Sequence, residues 1–258
     1  MGENSIVAVV TGVTGGIGKA IARSLAQKGN RIVGVARNKQ KVDEVLRQIH
    51  QMYKTEFVTI GADISRVEDV GNMISKILEA FKRIDVLVNN AGVGSFDFIV
   101  NTKPKDWDHM MDVNLKGLYL CSRAVLKSMI EQKKGMIINI SSVCGLRGYA
   151  QCGAYCASKF GVVGFTEALA HEVSPFNISA LAVCPDIVNT SFANNRNATL
   201  TDKRNMLTPE EVAEVVVGLV ESEAKSQICE IKLHPLTSLL AMIRIQKRKV
   251  SVKRIRFL

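Results

Sequence analysis

The 258-residue sequence predicts an α/β fold: a single domain on one doubly wound, seven-stranded parallel sheet. Three observations carry that expectation. Short runs rich in β-branched residues alternate along the chain with longer stretches whose apolar residues recur three and four apart, the pattern of successive βαβ units. The first run passes at once through a glycine-rich turn into a helix. Finally, 47% of the residues are hydrophobic, enough to bury a large core and to argue against intrinsic disorder.

The strand segments are Ser5–Val10, Arg31–Val35, Glu56–Ile60, Ile84–Val88, Met136–Ile140, Ile178–Val183 and Ile228–Leu233. Helices are expected at about residues 16–29, 38–54, 66–82, 104–133, 153–174 and 208–223. The last begins at Thr208-Pro209-Glu210-Glu211, which supplies a capping hydroxyl, Pro at the first helical position and early acids. No Gly/Ser-rich linker and no repeat of fixed period interrupts the chain, so residues 1–235 read as one domain.

Lys and Arg outnumber Asp and Glu by 34 to 24, a formal charge of +10. Such an excess raises nucleic acid or an anionic membrane as a partner. Its position narrows the question. Arg244, Lys247, Arg248, Lys249, Lys253, Arg254 and Arg256 all lie in a basic extension, residues 236–258, that holds no acid. Without those seven, 27 basic residues face 24 acidic ones, and the body is close to neutral. The extension opens with an apolar stretch, Leu236–Ile245, too short to span a bilayer, and then alternates basic and apolar residues. Contact with an anionic membrane surface is one reading and a solvated or subunit-contacting extension the other. No base-reading module accompanies the charges, which argues against nucleic acid.

The start, Met1-Gly2-Glu3-Asn4-Ser5, lacks the basic segment of a targeting peptide, so a cytoplasmic protein is expected, at most peripheral to a membrane. The six cysteines (121, 144, 152, 156, 184, 229) form no CxxC pair and no metal-ligand rhythm with the four histidines. Free thiols and no metal site are expected. Cys152 and Cys156, four apart, would sit on adjacent helical turns.

The first strand ends in Thr11-Gly12-Val13-Thr14-Gly15-Gly16-Ile17-Gly18. Glycines at 12, 16 and 18 permit a tight turn, close approach of backbone N–H groups to a diphosphate, and close helix–sheet packing, with the helix N-terminus facing the anion. The spacing TGxxxGxG resembles that of the short-chain dehydrogenase/reductase family, and further motifs follow in that family's order over roughly residues 5–235. They are Asn89-Asn90-Ala91-Gly92, Asp112-Val113-Asn114, Ser141-Ser142 and Tyr155-Cys156-Ala157-Ser158-Lys159, the last tyrosine thirteen residues after Ser142. The resemblance implies a Rossmann domain, an NADP(H)-dependent oxidoreductase similar to 3-oxoacyl-[acyl-carrier-protein] reductases, and a homodimer or homotetramer formed through the helices at 104–133 and 153–174.

The residues support that chemistry independently. Tyr155 and Lys159 share a helix face. A tyrosine near its reference pKa of about 10 is a poor acid or base at neutral pH, and an adjacent ammonium favours the phenolate. Tyr155 is therefore the candidate general acid or base, and Ser142 the hydrogen-bond donor to the substrate oxygen. Lys159 would also hold the nicotinamide ribose. Asn114, by resemblance, positions a water linking Lys159 to solvent.

The expected cofactor contacts are Gly12, Thr14, Gly16, Ile17 and Gly18 in the turn, Asn90, Ala91 and Gly92 after the fourth strand, and Tyr155 and Lys159. Asp63 and Ile64 are carried over as contacts on the adenine side, with helix capping as the plainer role for Asp63. The second strand ends in Ala36-Arg37, where a carboxylate would bind the ribose 2′-OH of NAD(H) and repel a 2′-phosphate. An uncharged residue followed by a guanidinium favours NADP(H) over NAD(H).

After the sixth strand, Pro185-Asp186-Ile187-Val188-Asn189-Thr190 stands where the family has Pro-Gly-x-Val-x-Thr. Val188 and Thr190 are expected to meet the nicotinamide carboxamide. Asp186 would be uncomfortable if the backbone there needs φ > 0. Residues 191–207 occupy the place of the family's substrate lid and hold few large apolar residues. The leading expectation is hydride transfer between nicotinamide and a carbonyl or secondary alcohol, such as a 3-oxoacyl thioester. Another small ketone or hydroxy acid is the alternative, and a non-catalytic nucleotide-binding scaffold with a membrane-binding tail stands against both.

Overall fold

A computed structural model describes residues 5–194, 205–222 and 227–236. Its strands are β1 (Val7–Thr11), β2 (Arg31–Ala36), β3 (Phe57–Gly61), β4 (Val86–Asn89), β5 (Gly135–Ile140), β6 (Ile178–Pro185) and β7 (Glu230–Leu233). They form one sheet in the order β3-β2-β1-β4-β5-β6-β7, parallel throughout. The doubly wound, seven-stranded expectation holds, with strand ends displaced by one to two residues. β7 starts two residues later than expected, its register with β6 running from Glu230, with the Cys229 carbonyl still accepting from the Ala182 N–H at 2.9 Å.

Helices α1 (Gly16–Gln27), α2 (Lys39–Tyr53) and α8 (Pro209–Glu221) cover one face, packing on Ala8, Val10, Ile32, Val86 and Leu181. The other face carries α3 (Val67–Phe81), α5 (Leu118–Gln132) and α6 (Gly153–Val173), packed on Val7, Val9, Val33, Leu87 and Ile137. Successive strand residues thus serve opposite cores, as a sheet buried on both faces requires. Remaining helices are α4 (Pro104–Met111) and the four-residue α7 (Ser191–Asn194). Two helix starts are fixed by side chains: Asn38 accepts from the Lys41 N–H, and Thr208, the expected capping residue, forms a capping box with Glu211.

One expected helix is not uniform. Between α4 and α5 the chain makes a wide π turn at Asp112–Gly117, so the stretch at 104–133 is two α-helices joined by a turn of different pitch. Asn114 lies in that turn, 1% exposed and fully engaged: its Oδ1 accepts from the Val93 N–H at 2.8 Å, and its Nδ2 donates to the Val93 carbonyl and to Ser158 Oγ. Single-turn π insertions of this kind are rare and are found frequently at functional sites.

The six cysteines are free, as expected, and the Cys156 N–H donates to the Cys152 carbonyl at the start of α6. No described helix is long and apolar enough to cross a membrane. The basic extension, apart from Leu236, and most of the expected lid, residues 195–204, lie outside the described residues.

The sheet's order reverses at β1, which pairs with β2 on one side and β4 on the other. Thr11, fully buried at the end of β1, bridges that divergence: its Oγ1 accepts from the N–H groups of Asn90 and Ala91 at 3.0 and 3.1 Å. Thr11→Val keeps the shape and strands both donors, each worth about 1–3 kcal/mol if left unsatisfied. The expected result is a Tm lowered by about 4 °C or more in thermal unfolding. Thr11→Ser should retain most of the stability, and an unchanged Tm in the valine variant would remove Thr11 from this role.

Candidate active site

At the carboxyl ends of β1 and β4 the chain turns sharply. Gly12 has φ +67°, and a Cβ there would lie 2.8 Å from the Ala91 Cα. A Cβ on Gly18 would collide with the Gly12 carbonyl oxygen. Both positions therefore require glycine, and the tight packing aims the first turn of α1 at the crevice beside the strand ends. Asn90 closes the turn from the β4 side, its Nδ2 donating to the carbonyls of Thr11 and Gly12.

That crevice is a cavity of about 660 Å³. Of the residues expected at a cofactor, Gly12, Thr14, Gly16, Ile17, Arg37, Asp63, Ile64, Asn90, Ala91, Gly92, Tyr155, Lys159 and Thr190 all line it. Gly18 lies beneath the turn instead, where its role is packing, and Val188 lines a neighbouring cavity.

One end of the crevice is cationic. Arg37 and Lys41 line it together with Asn38, at the end of β2 and the start of α2. Asp63 faces them and also organises the loop before α3, its Oδ1 accepting from both the N–H and the hydroxyl of Ser65. Burial pushes the Asp63 carboxyl up, but the Ser65 bonds and the nearby Arg37 and Arg66 outweigh it and hold the group below the usual carboxylate range.

At the other end, α6 presents Tyr155 and Lys159. The Lys159 Nζ is 5.8 Å from the Tyr155 ring centroid and donates to the Ile140 carbonyl at 2.8 Å. Burial lowers the Lys159 ammonium to about 8, with Cys184 and Cys144 acting the other way. The Asn114 side chain bonds Val93 and Ser158, one residue from Lys159, so it braces α6 against the chain after β4. Each polar atom of the Asn114 side chain thus has a protein partner.

A second, smaller cavity of about 110 Å³ opens beside Tyr155. Ser142 lines it, with its Oγ accepting from the Cys144 N–H at 3.2 Å, alongside Val143, Cys144, Ile187 and Val188. Ile17, Ser141, Tyr155, Thr190 and Phe192 line both cavities, so the two meet around the tyrosine. Phe96 and Phe192 pack on the Tyr155 ring at centroid distances of 5.3 and 5.9 Å.

Position 186 departs from the expected strain. Asp186 is outside the left-handed region, which only Lys54, Lys82, Lys133, Gln151 and Asn177 occupy among the described non-glycine residues. Its carboxylate accepts from the Ile187 N–H and from His234 Nδ1, each at 2.8 Å. The sequence reading also missed Lys41, Phe96, Phe192 and His234. Lys41 carried a usable signal, standing one turn after Arg37 at a helix start. The aromatic residues and His234 reach the site only through tertiary packing.

A family model described as short chain dehydrogenase matches residues 6–201. A 3-oxoacyl-[acyl-carrier-protein] reductase of Synechocystis sp. is 39% identical over 193 residues, covering 74% of this chain and 78% of that protein. Among solved structures, a metagenomic short-chain oxidoreductase in complex with NADP is 37% identical with a TM-score of 0.78, covering 89% of this chain and 97% of the other. A 3-ketoacyl-(acyl-carrier-protein) reductase from Brucella melitensis complexed with NADH is 27% identical with a TM-score of 0.83, covering 90% and 98%. With its sheet order, glycine turn and Tyr155/Lys159 helix, the chain belongs to the short-chain dehydrogenase family of oxidoreductases.

Proposed function

We propose that the chain is an NADP(H)-dependent reductase of carbonyl compounds, with a 3-oxoacyl thioester as the leading substrate. The observation that carries this reading is the meeting of the two cavities at Tyr155: the larger suits a dinucleotide and the smaller, mostly apolar one suits the carbonyl compound. The similarity to 3-oxoacyl-[acyl-carrier-protein] reductases supports the thioester. A small ketone or hydroxy acid is the second reading, because the small cavity alone accommodates either.

The residues present fit a nicotinamide cofactor. The start of α1 offers N–H groups to a diphosphate across the glycine turn, and Arg37 and Lys41 supply positive charge at the far end with Ala36, not a carboxylate, ending β2. When bound, NADP(H) supplies or accepts the hydride. Tyr155 donates its phenolic proton to the carbonyl oxygen in reduction and takes a proton from the alcohol in oxidation. Ser142 donates a hydrogen bond to that oxygen as charge develops on it. Lys159, held by the Ile140 carbonyl under Tyr155, stabilises the phenolate through its ammonium. Asn114 fixes the approach of α6 to the crevice. Gly12, Thr14, Gly16, Ile17, Asn90, Ala91 and Gly92 contact the cofactor along the crevice, Asp63 and Ile64 border its adenine side, and Val188 and Thr190 lie at the carboxamide.

Exposed Trp107, Tyr119 and Phe160 on α4, α5 and α6 support a homodimer or homotetramer through those helices. Contact of the extension with an anionic surface rests on its charge alone.

The deciding assay follows NADPH oxidation against 3-oxoacyl thioesters, small ketones and hydroxysteroid ketones, with NADH as control. Turnover of the thioesters is expected; turnover of ketones alone would transfer the proposal to the second reading. Tyr155→Phe should bind NADPH like the parent and lose about 10²-fold or more in kcat; equal activity would overturn the mechanism. Arg37→Ala removes a charge-assisted contact and should weaken NADPH by about tenfold or more while leaving NADH unaffected. The pH profile has a sign as well. Lys159 is charged below about 8 and neutral above it, so kcat/KM for reduction should fall along an alkaline limb near that value. A profile flat to about pH 10, the ordinary lysine range, would mean that the Lys159 ammonium is not depressed to about 8 when it acts.

A further inference from the structure

We infer that Asp186 and His234 form a positioning pair that fixes residues 186–190 against the crevice. The inference rests on the reading that this end of the crevice receives nicotinamide. Glycine in the family pattern would leave position 186 without a side chain. Here its carboxylate makes two bonds, one to the Ile187 N–H and one to His234 Nδ1, while its own N–H donates to the Leu233 carbonyl at 2.9 Å. A carboxylate only accepts, so Nδ1 of His234 carries a hydrogen. The two side chains are 23% and 17% exposed, which sets the contact apart from a surface ion pair.

Location gives the pair its consequence. Strand pairing between β6 and β7 ends at Pro185 and Leu233, and the next residue on each strand is one member of the pair. β7 is a four-residue edge strand, so the backbone ladder there is short. Beyond Asp186 the chain leaves the sheet: Ile187 and Val188 line the small cavity with Ser142 and Tyr155, and Thr190 packs on Gly16 at the larger one. An error in the direction of this segment would move the contacts at the nicotinamide end and leave those around Arg37 in place.

The test compares binding of the whole cofactor with binding of its adenosine half. His234→Leu should weaken NADPH by about tenfold and lower kcat, with adenosine 2′,5′-bisphosphate bound as in the parent. His234→Asn, whose Nδ2 falls near the Nδ1 position, should restore most of the loss. Asp186→Gly should match His234→Leu, and the double variant should add nothing to either single one. Unchanged NADPH binding in His234→Leu, equal weakening of both ligands, or additive losses would each overturn the pair as a positioning device. Should the parent prefer NADH, the comparison is made with NADH and AMP and the criteria stand. Failure of the parent to bind either dinucleotide would instead sink the cofactor reading, and this one with it.

Discussion

The carboxyl ends of β1 and β4 part around the Thr11 side chain, and the functional residues are placed relative to that divergence. A parallel strand flanked by neighbours that cross over in opposite directions leaves an opening at its end. What turns the opening into a crevice of definite shape is polar satisfaction: the Thr11 hydroxyl takes the Asn90 and Ala91 N–H groups, and Asn90 returns its amide to Thr11 and Gly12. The glycine turn and the segment after β4 consequently hold each other, and the start of α1 has a fixed opposite wall.

The same economy governs the reacting end. Several buried polar side chains hold helices to the sheet or to one another. Asn89 donates to Ser122 and Asn139, Asn139 donates to Thr166, and Asn114 ties Val93 to Ser158. Two of these ties, at Thr166 and Ser158, land on α6, the helix that carries Tyr155 and Lys159. Lys159 itself is 5% exposed and spends one hydrogen on a backbone carbonyl, so its charge is costly to keep and its ammonium is easily lost.

Much of the architecture was legible in the sequence because hydrophobic alternation and helical spacing are local signals: all seven strands were readable from them, and the helix start at Thr208 from its capping hydroxyl, proline and early acids. The glycine turn and the Tyr155/Lys159 spacing were legible for the same reason, since each motif is contiguous. The rest was hidden by its dependence on distance in the chain. Phe96 and Phe192 come together on Tyr155 from segments nearly a hundred residues apart, and His234 meets Asp186 across 48 positions. The discomfort that Asp186 would meet at φ > 0 does not arise, because the backbone there lies outside the left-handed region, and a motif comparison shows neither that nor the His234 partner.

The π turn at Asp112–Gly117 has a consequence for the phase of the molecule. Each residue of an α-helix turns the side chain by about 100°, so one residue accommodated in a wider turn rotates all that follows relative to all that precedes. α4, which packs against α6, and α5, which packs under β4 and β5, therefore present faces that a straight helix could not present together. Loss of a single residue between Met111 and Leu118 would leave composition and apolar spacing almost untouched. It would nonetheless swing Cys121, Val125 and Met129 out of the core they fill. For the long helical stretch, chain length is itself a determinant of structure, and substitutions there are safer than deletions.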